Sequence, residues 1–156
     1  MIVSKDIVQY SAFNIIGIQV RTNNNEAVTT VPTLWQQWHN NNIFHKIPNK
    51  INTTEYFAVY TDYESDEHGD YTLIIGAQVD SLSDIPQGCV GRFIPTASYV
   101  KFGVAGVVPV CIIEAWHSIW SSEFSYERAF TYDFEVYPIK TASNTEPVAH
   151  IYVAIK

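Results

Sequence analysis

The run FTYDFEVYPIK, Phe130 to Lys140, decides how the rest of this chain is read. As a strand it sends successive side chains to opposite faces. Phe134 and Val136 then share one face, and Asp133, Glu135 and Tyr137 share the other. The first face suits a core. The second faces solvent or floors a cavity, and function turns on which. A solvated Glu135, or one paired across the sheet with a lysine, would satisfy the same pattern.

Outward from this strand, hydrophobic periodicity divides the chain into two similar halves. AFNIIGIQVRT (Ala12–Thr22) is apolar and β-branched, which predicts a buried strand. In VPTLWQQWHNNNIF, Val31, Leu34, Trp35 and Trp38 recur at helical spacing, with Pro32 suited to a first helical turn. EYFAVYTDY and YTLIIGAQVD, joined by the polar ESDEHGD, form a hairpin. SLSDIPQG breaks the pattern. CVGRFIP then makes a short lead-in strand before the strand SYVKFGVAG. In VPVCIIEAWHSIWSSEF, Ile112, Ile113, Trp116, Ile119 and Trp120 mark a second helix. The opening strand and EPVAHIYVAIK complete the chain.

Each half reads strand, helix, strand, strand: about residues 8–80, then about 88–156, within one domain. Val31-Pro32 ahead of Trp38-His39 is echoed by Val108-Pro109 ahead of Trp116-His117. This order predicts an α+β fold with helices on one face of a curved, largely antiparallel sheet. Its aromatic second face is the expected place for binding.

Composition narrows the function. Of 156 residues, 47% are hydrophobic and 16% charged, which excludes a disordered chain. Nine basic against sixteen acidic residues give a net charge of −7, the wrong sign for direct nucleic-acid binding. MIVSKDIVQY offers no signal peptide or membrane span, so a cytoplasmic protein without membrane association is expected. Cys89 and Cys111 lie in apolar surroundings and read as buried thiols. Nothing nominates a cofactor or a metal. DYESDEHGD misses the calcium-loop register, and the five histidines lack zinc spacing. No P-loop, dinucleotide fingerprint or nucleophile motif is present, and no catalytic residue is named.

Ten tyrosines carry more information than the other aromatic residues, because a phenol resists full burial without a partner. Tyr56, Tyr60, Tyr71, Tyr137 and Tyr152 all fall on expected strands, and Tyr60 and Tyr137 lie opposite apolar neighbours. Such rings, facing away from the helices, would line a groove for flat or apolar molecules. A carboxylate among them loses hydration, so its pKa rises or a cation compensates it. An organic cation there gains about 0.5–2 kcal/mol from the ring faces.

Three runs, VYTDYESDEHGDYTLIIGAQV, EAWHSIW and FEVYPIK, together resemble the GyrI-like small-molecule-binding family. This is the effector-binding domain of AraC-type and MerR-type multidrug regulators, which also occurs alone. The resemblance covers about residues 5–156. It implies two strand-helix-strand-strand modules about a pseudo-twofold axis, with a ligand groove between them. It implies that Glu135 receives amphipathic or cationic ligands there, with Trp116, Tyr71, Tyr137 and Tyr60 as further groove residues. The regulators place a helix-turn-helix before this domain, and the expectation here is a chain that is all effector domain. It would act as a ligand receptor or drug-sequestering protein in transcription regulation. The resemblance leaves two alternatives open. One is a hydrolase of reactive cyclopropane compounds, with Glu135 activating water and a tyrosine polarising the leaving oxygen. The other is a gyrase-inhibitor-like module whose acidic surface meets a basic protein partner.

Overall fold

The side chain of Asn23 starts the first helix. Its Oδ1 accepts the backbone N–H groups of Asn25 (3.0 Å) and Glu26 (2.9 Å), the latter shared with the Asn23 carbonyl (3.2 Å). In the computed structural model, which describes residues 1–121, 124–139 and 147–156, helix α1 therefore runs Ala27–Asn40. Pro32 lies inside it rather than in its first turn, a correction to the expected start. Leu34 and Trp38, four residues apart, bury its inner side. A short helix α2, Ile43–Lys46, follows. Helix α3, Val110–Trp120, buries Cys111, Ile112, Ala115, Trp116 and Ile119. The expected continuation of that helix through Ser122 and Glu123 lies outside the described residues, as do Lys140 and Glu146 at the ends of the expected last two strands.

Among the described residues eight strands form one antiparallel sheet: β1 Ile2–Tyr10, β2 Phe13–Thr22, β3 Glu55–Thr61, β4 Tyr71–Val79, β5 Val90–Ile94, β6 Ala97–Val104, β7 Tyr132–Pro138 and β8 Ala149–Ala154. Strand β1 is absent from the expectation above. It is an edge strand, its Ser4, Lys5, Asp6 and Gln9 are exposed, and it buries too little to show alternation.

The strand order is β1-β6-β8-β7-β3-β4-β2-β5. Exchanging β1 with β5, β2 with β6, β3 with β7 and β4 with β8 reverses this order and leaves every neighbour pair intact. Each lead-in strand crosses over: β1 pairs with β6, and β5 with β2. The link between β1 and β2 is only Ser11 and Ala12, although these strands lie near opposite ends of the order. The sheet must therefore curl. Tyr10, at the end of β1, packs its ring 5.1 Å from Phe13, 5.0 Å from Phe134 and 5.3 Å from Tyr152, centre to centre.

Inside the curl, Phe13, Ile15, Phe57, Val59, Ile74, Tyr99, Phe134 and Val136 form a core with no helix in it. The outer face carries α1 and α3, with Ile16, Ile18, Leu73, Ile75, Val100, Phe102, Trp116 and Tyr137 between helices and sheet. The expected direction of two side chains needs correction here. Glu135 and Tyr137 point toward the helices, not away from them. The reason is physical: the curled sheet buries Phe134 and Val136 against its own concave face, so the helices are left to cover the other. Cys111 is buried as expected, while Cys89 is only half-buried.

A caged carboxylate as the candidate functional site

Glu135 is the middle residue of β7, and its register partner in β3 is Ala58. The methyl group opposite leaves room for the longer side chain. Two residues further along each strand, on the same face, stand Tyr60 and Tyr137. Both hydroxyls turn back onto the acid. Tyr60 Oη donates to Glu135 Oε2 at 2.8 Å, and Tyr137 Oη donates to Oε1 at 2.5 Å. From above the sheet, Trp116 of α3 donates its indole Nε1 to Oε2 at 2.6 Å.

Glu135 is only 1% exposed. Burial raises its pKa, and the hydrogen bonds from Tyr137, Trp116 and Tyr60 oppose that rise without cancelling it. Burial, then the nearby carboxylate, pushes the Tyr60 and Tyr137 phenols well above their ordinary range. They therefore remain donors. Among the described residues no ion pair engages Glu135.

The remaining expected site residue, Tyr71, stands one ring further out. Its ring centre is 5.6 Å from that of Tyr60, and burial followed by the charge of Glu135 moves its pKa to about 12. On the other flank, Tyr56 stacks on Tyr137 at 5.7 Å, and Trp35 of α1 meets the Tyr137 ring edge-on at 5.3 Å. Trp35 and Tyr56 are half-buried, so this flank leads toward solvent. The rings fill the space around Glu135. Two surface hollows lie elsewhere, one beside Ile2, Lys5 and Phe124 and the other beside Gln19, Thr29 and Gln37.

A second buried acid adjoins the first. Asp133, two residues earlier on β7 and fully buried, accepts from Tyr63 Oη (2.5 Å), Arg128 Nη2 (2.8 Å) and the backbone N–H of Ala154 (2.7 Å). The Arg128 guanidinium lies over the rings of Phe130 (4.3 Å) and Trp116 (5.8 Å). Asp133 thus has its own cation, whereas among the described residues Glu135 has only neutral donors.

Sequence reasoning named Glu135, Tyr60, Tyr71, Tyr137 and Trp116, read Trp35 only as part of a helical stripe, and passed over Arg128 and Tyr63. Strand parity places Asp133 beside Glu135, so a search for a cation to match two inward acids would have led to Arg128. No comparable signal exists for Tyr63, which follows a residue, Asp62, with positive φ just past the end of β3.

Residues 6–155 match the protein family Cass2, described as integron-associated effector binding protein. A relative from Bacillus subtilis (strain 168), YobU, named as a candidate transcriptional regulator, is 28% identical over 144 residues and covers 90% of each chain. Among solved structures, the integron cassette protein Cass2 from the mobile metagenome of Vibrio cholerae superposes with a TM-score of 0.78 at 24% identity, over 99% of this chain and 97% of that one. SAV2435, solved bound to tetraphenylphosphonium, gives 0.78 at 18% identity, over 99% and 94%. These structural likenesses concern the fold.

Proposed function

Because this chain belongs to the Cass2 family of integron-associated effector-binding proteins, we propose that it is a receptor for lipophilic organic cations, with Glu135 as the counter-charge. One observation carries this reading: a buried carboxylate with three neutral donors and, among the described residues, no ion-pair partner. Burying a charge without a partner is costly, and a bound cation offsets that cost. The tyrosine and tryptophan faces around Glu135 add attraction of about 0.5–2 kcal/mol for a cation with dispersed charge. The cation that SAV2435 holds, tetraphenylphosphonium, is of this chemistry. Tyr60, Tyr137 and Trp116 occupy the space a ligand would use, so binding requires these rings to swing aside, with Trp35 and Tyr56 at the entrance.

As an effector-binding protein with a relative named as a candidate regulator, the chain fits a ligand receptor or sink in transcription regulation. Hydrolysis is the weaker reading, because three donors already occupy most of the roughly four lone-pair positions of the carboxylate, and a general base needs a free one aimed at the water. The test is a titration of the protein with tetraphenylphosphonium, followed by tryptophan fluorescence. Glu135→Gln is expected to weaken binding at least about tenfold, the scale of losing the Coulombic attraction between the carboxylate and the phosphonium charge. Unchanged affinity in that variant would remove Glu135 from the function.

A further inference from the structure

Arg128 is unusual among the charged residues near Glu135. Its side chain is 8% exposed, and only Nη2 is used, on Asp133. Nε and Nη1 are buried and have no hydrogen-bond partner among the described residues. Native interiors rarely leave buried N–H groups in this state, and such groups call for an explanation. The rings of Phe130 and Trp116 lie against the guanidinium and attract its charge, but they supply no lone pair for these hydrogens.

The location narrows the explanation. Trp116, whose ring lies under Arg128, is the same indole that donates to Glu135. Asp133 and Glu135 are successive residues on one face of β7, about 7 Å apart along the strand. The contacts run continuously from Glu135 through Trp116, Arg128, Asp133, Tyr63, Tyr71 and Tyr60, and back to Glu135. A ligand lying against Glu135 would therefore have Arg128 within reach.

Charge decides what kind of group Arg128 would hold. Asp133 already balances the guanidinium, so a full anion would add a negative charge beside two buried carboxylates. A neutral acceptor oxygen adds lone pairs without adding charge. We propose that Arg128 forms an acceptor subsite adjoining the Glu135 cage, so that the preferred ligand is an organic cation also carrying a carbonyl or ester oxygen. This rests on the reading of Glu135 as the counter-charge.

Two probes that differ by one ester group test it: tetraphenylphosphonium and (4-methoxycarbonylphenyl)triphenylphosphonium, each titrated against the whole chain. The parent is expected to bind the ester about tenfold more tightly, the effect of a hydrogen bond from a charged donor. In Arg128→Met combined with Asp133→Asn, which removes the ion pair together, the ratio of the two dissociation constants is expected to fall to near one. Equal affinities in the parent, or a preference that survives in the double variant, would overturn the subsite while leaving the cation receptor standing. Failure of the parent to bind either phosphonium would overturn both. If the double variant lacks a cooperative melt, Arg128→Lys keeps the charge facing Asp133 and removes Nε and Nη1. The ester preference should then fall below about threefold, and its persistence in full would refute the proposal.

Discussion

Ala58 and Glu135 are register partners at the midpoints of β3 and β7, the two strands about which the order of the sheet is symmetric. The same relation equates Tyr60 with Tyr137, and both donate to the one carboxylate. The cage is thus two matching tyrosines around a single acid, with a methyl group where symmetry would place a second acid. Two facing carboxylates here would repel each other in a dry site. One leaves a single charge for a ligand to neutralise.

Ala58→Leu should close the site from the sheet side. Three added carbons opposite Glu135 overpack a fully buried position, at about 1–3 kcal/mol of stability. Tetraphenylphosphonium affinity should fall with it, and Ala58→Gly should retain binding. Urea denaturation and fluorescence titration of the two variants check this; a leucine variant that binds as well as the parent would place the ligand elsewhere.

Tyr60→Phe and Tyr137→Phe each remove one donor from a buried carboxylate. Each is expected to cost about 1–3 kcal/mol at neutral pH, because the acid loses a hydrogen bond that burial makes necessary. In a Glu135→Gln background both losses should shrink, since the acceptor is then neutral. A double-mutant cycle by chemical denaturation measures the coupling. Additive losses would show that the hydroxyls act independently of the acid.

The pH dependence has a definite sign. Burial raises the pKa of Glu135 in the folded state, so between its ordinary value and that raised value the folded chain holds more protons than the unfolded one. The contribution of Glu135 to stability is therefore best in acid and declines as pH rises through that interval. Glu135→Gln, which carries no charge to bury, should melt a few degrees above the parent at neutral pH, at about 2–4 °C per kcal/mol for a chain of this size. The gap should narrow as pH falls toward the ordinary carboxylate range. Cation affinity of the parent should weaken over the same interval as the carboxylate is protonated. Melting curves across pH that run parallel for the two proteins would contradict this.

Asp133→Asn should be the most damaging polar substitution, at about 3–5 kcal/mol, because it leaves the Arg128 guanidinium buried without its counter-ion. Asp133→Asn with Arg128→Met should recover part of that loss. Denaturant midpoints of the three proteins measure it, and a single variant as stable as the parent would mean that the pair contributes nothing to the fold.

The sequence by itself determined the alternation of β7, and so the fact that Asp133, Glu135 and Tyr137 share a face, because pleating leaves a strand no other choice. It also determined the repeated strand-helix-strand-strand order, since helical and strand periods differ enough to be told apart. Strand β1 escaped that reading because an edge strand with polar residues on both sides carries little period. Which face the helices cover was decided only in the tertiary structure. The two-residue Ser11–Ala12 link forces the sheet to curl, and the curl buries Phe134 and Val136 without help. The convergence of Tyr60, Trp116 and Arg128 on two inward acids is likewise tertiary. These residues lie far apart along the chain, and no local pattern records which side chain a distant carboxylate will meet.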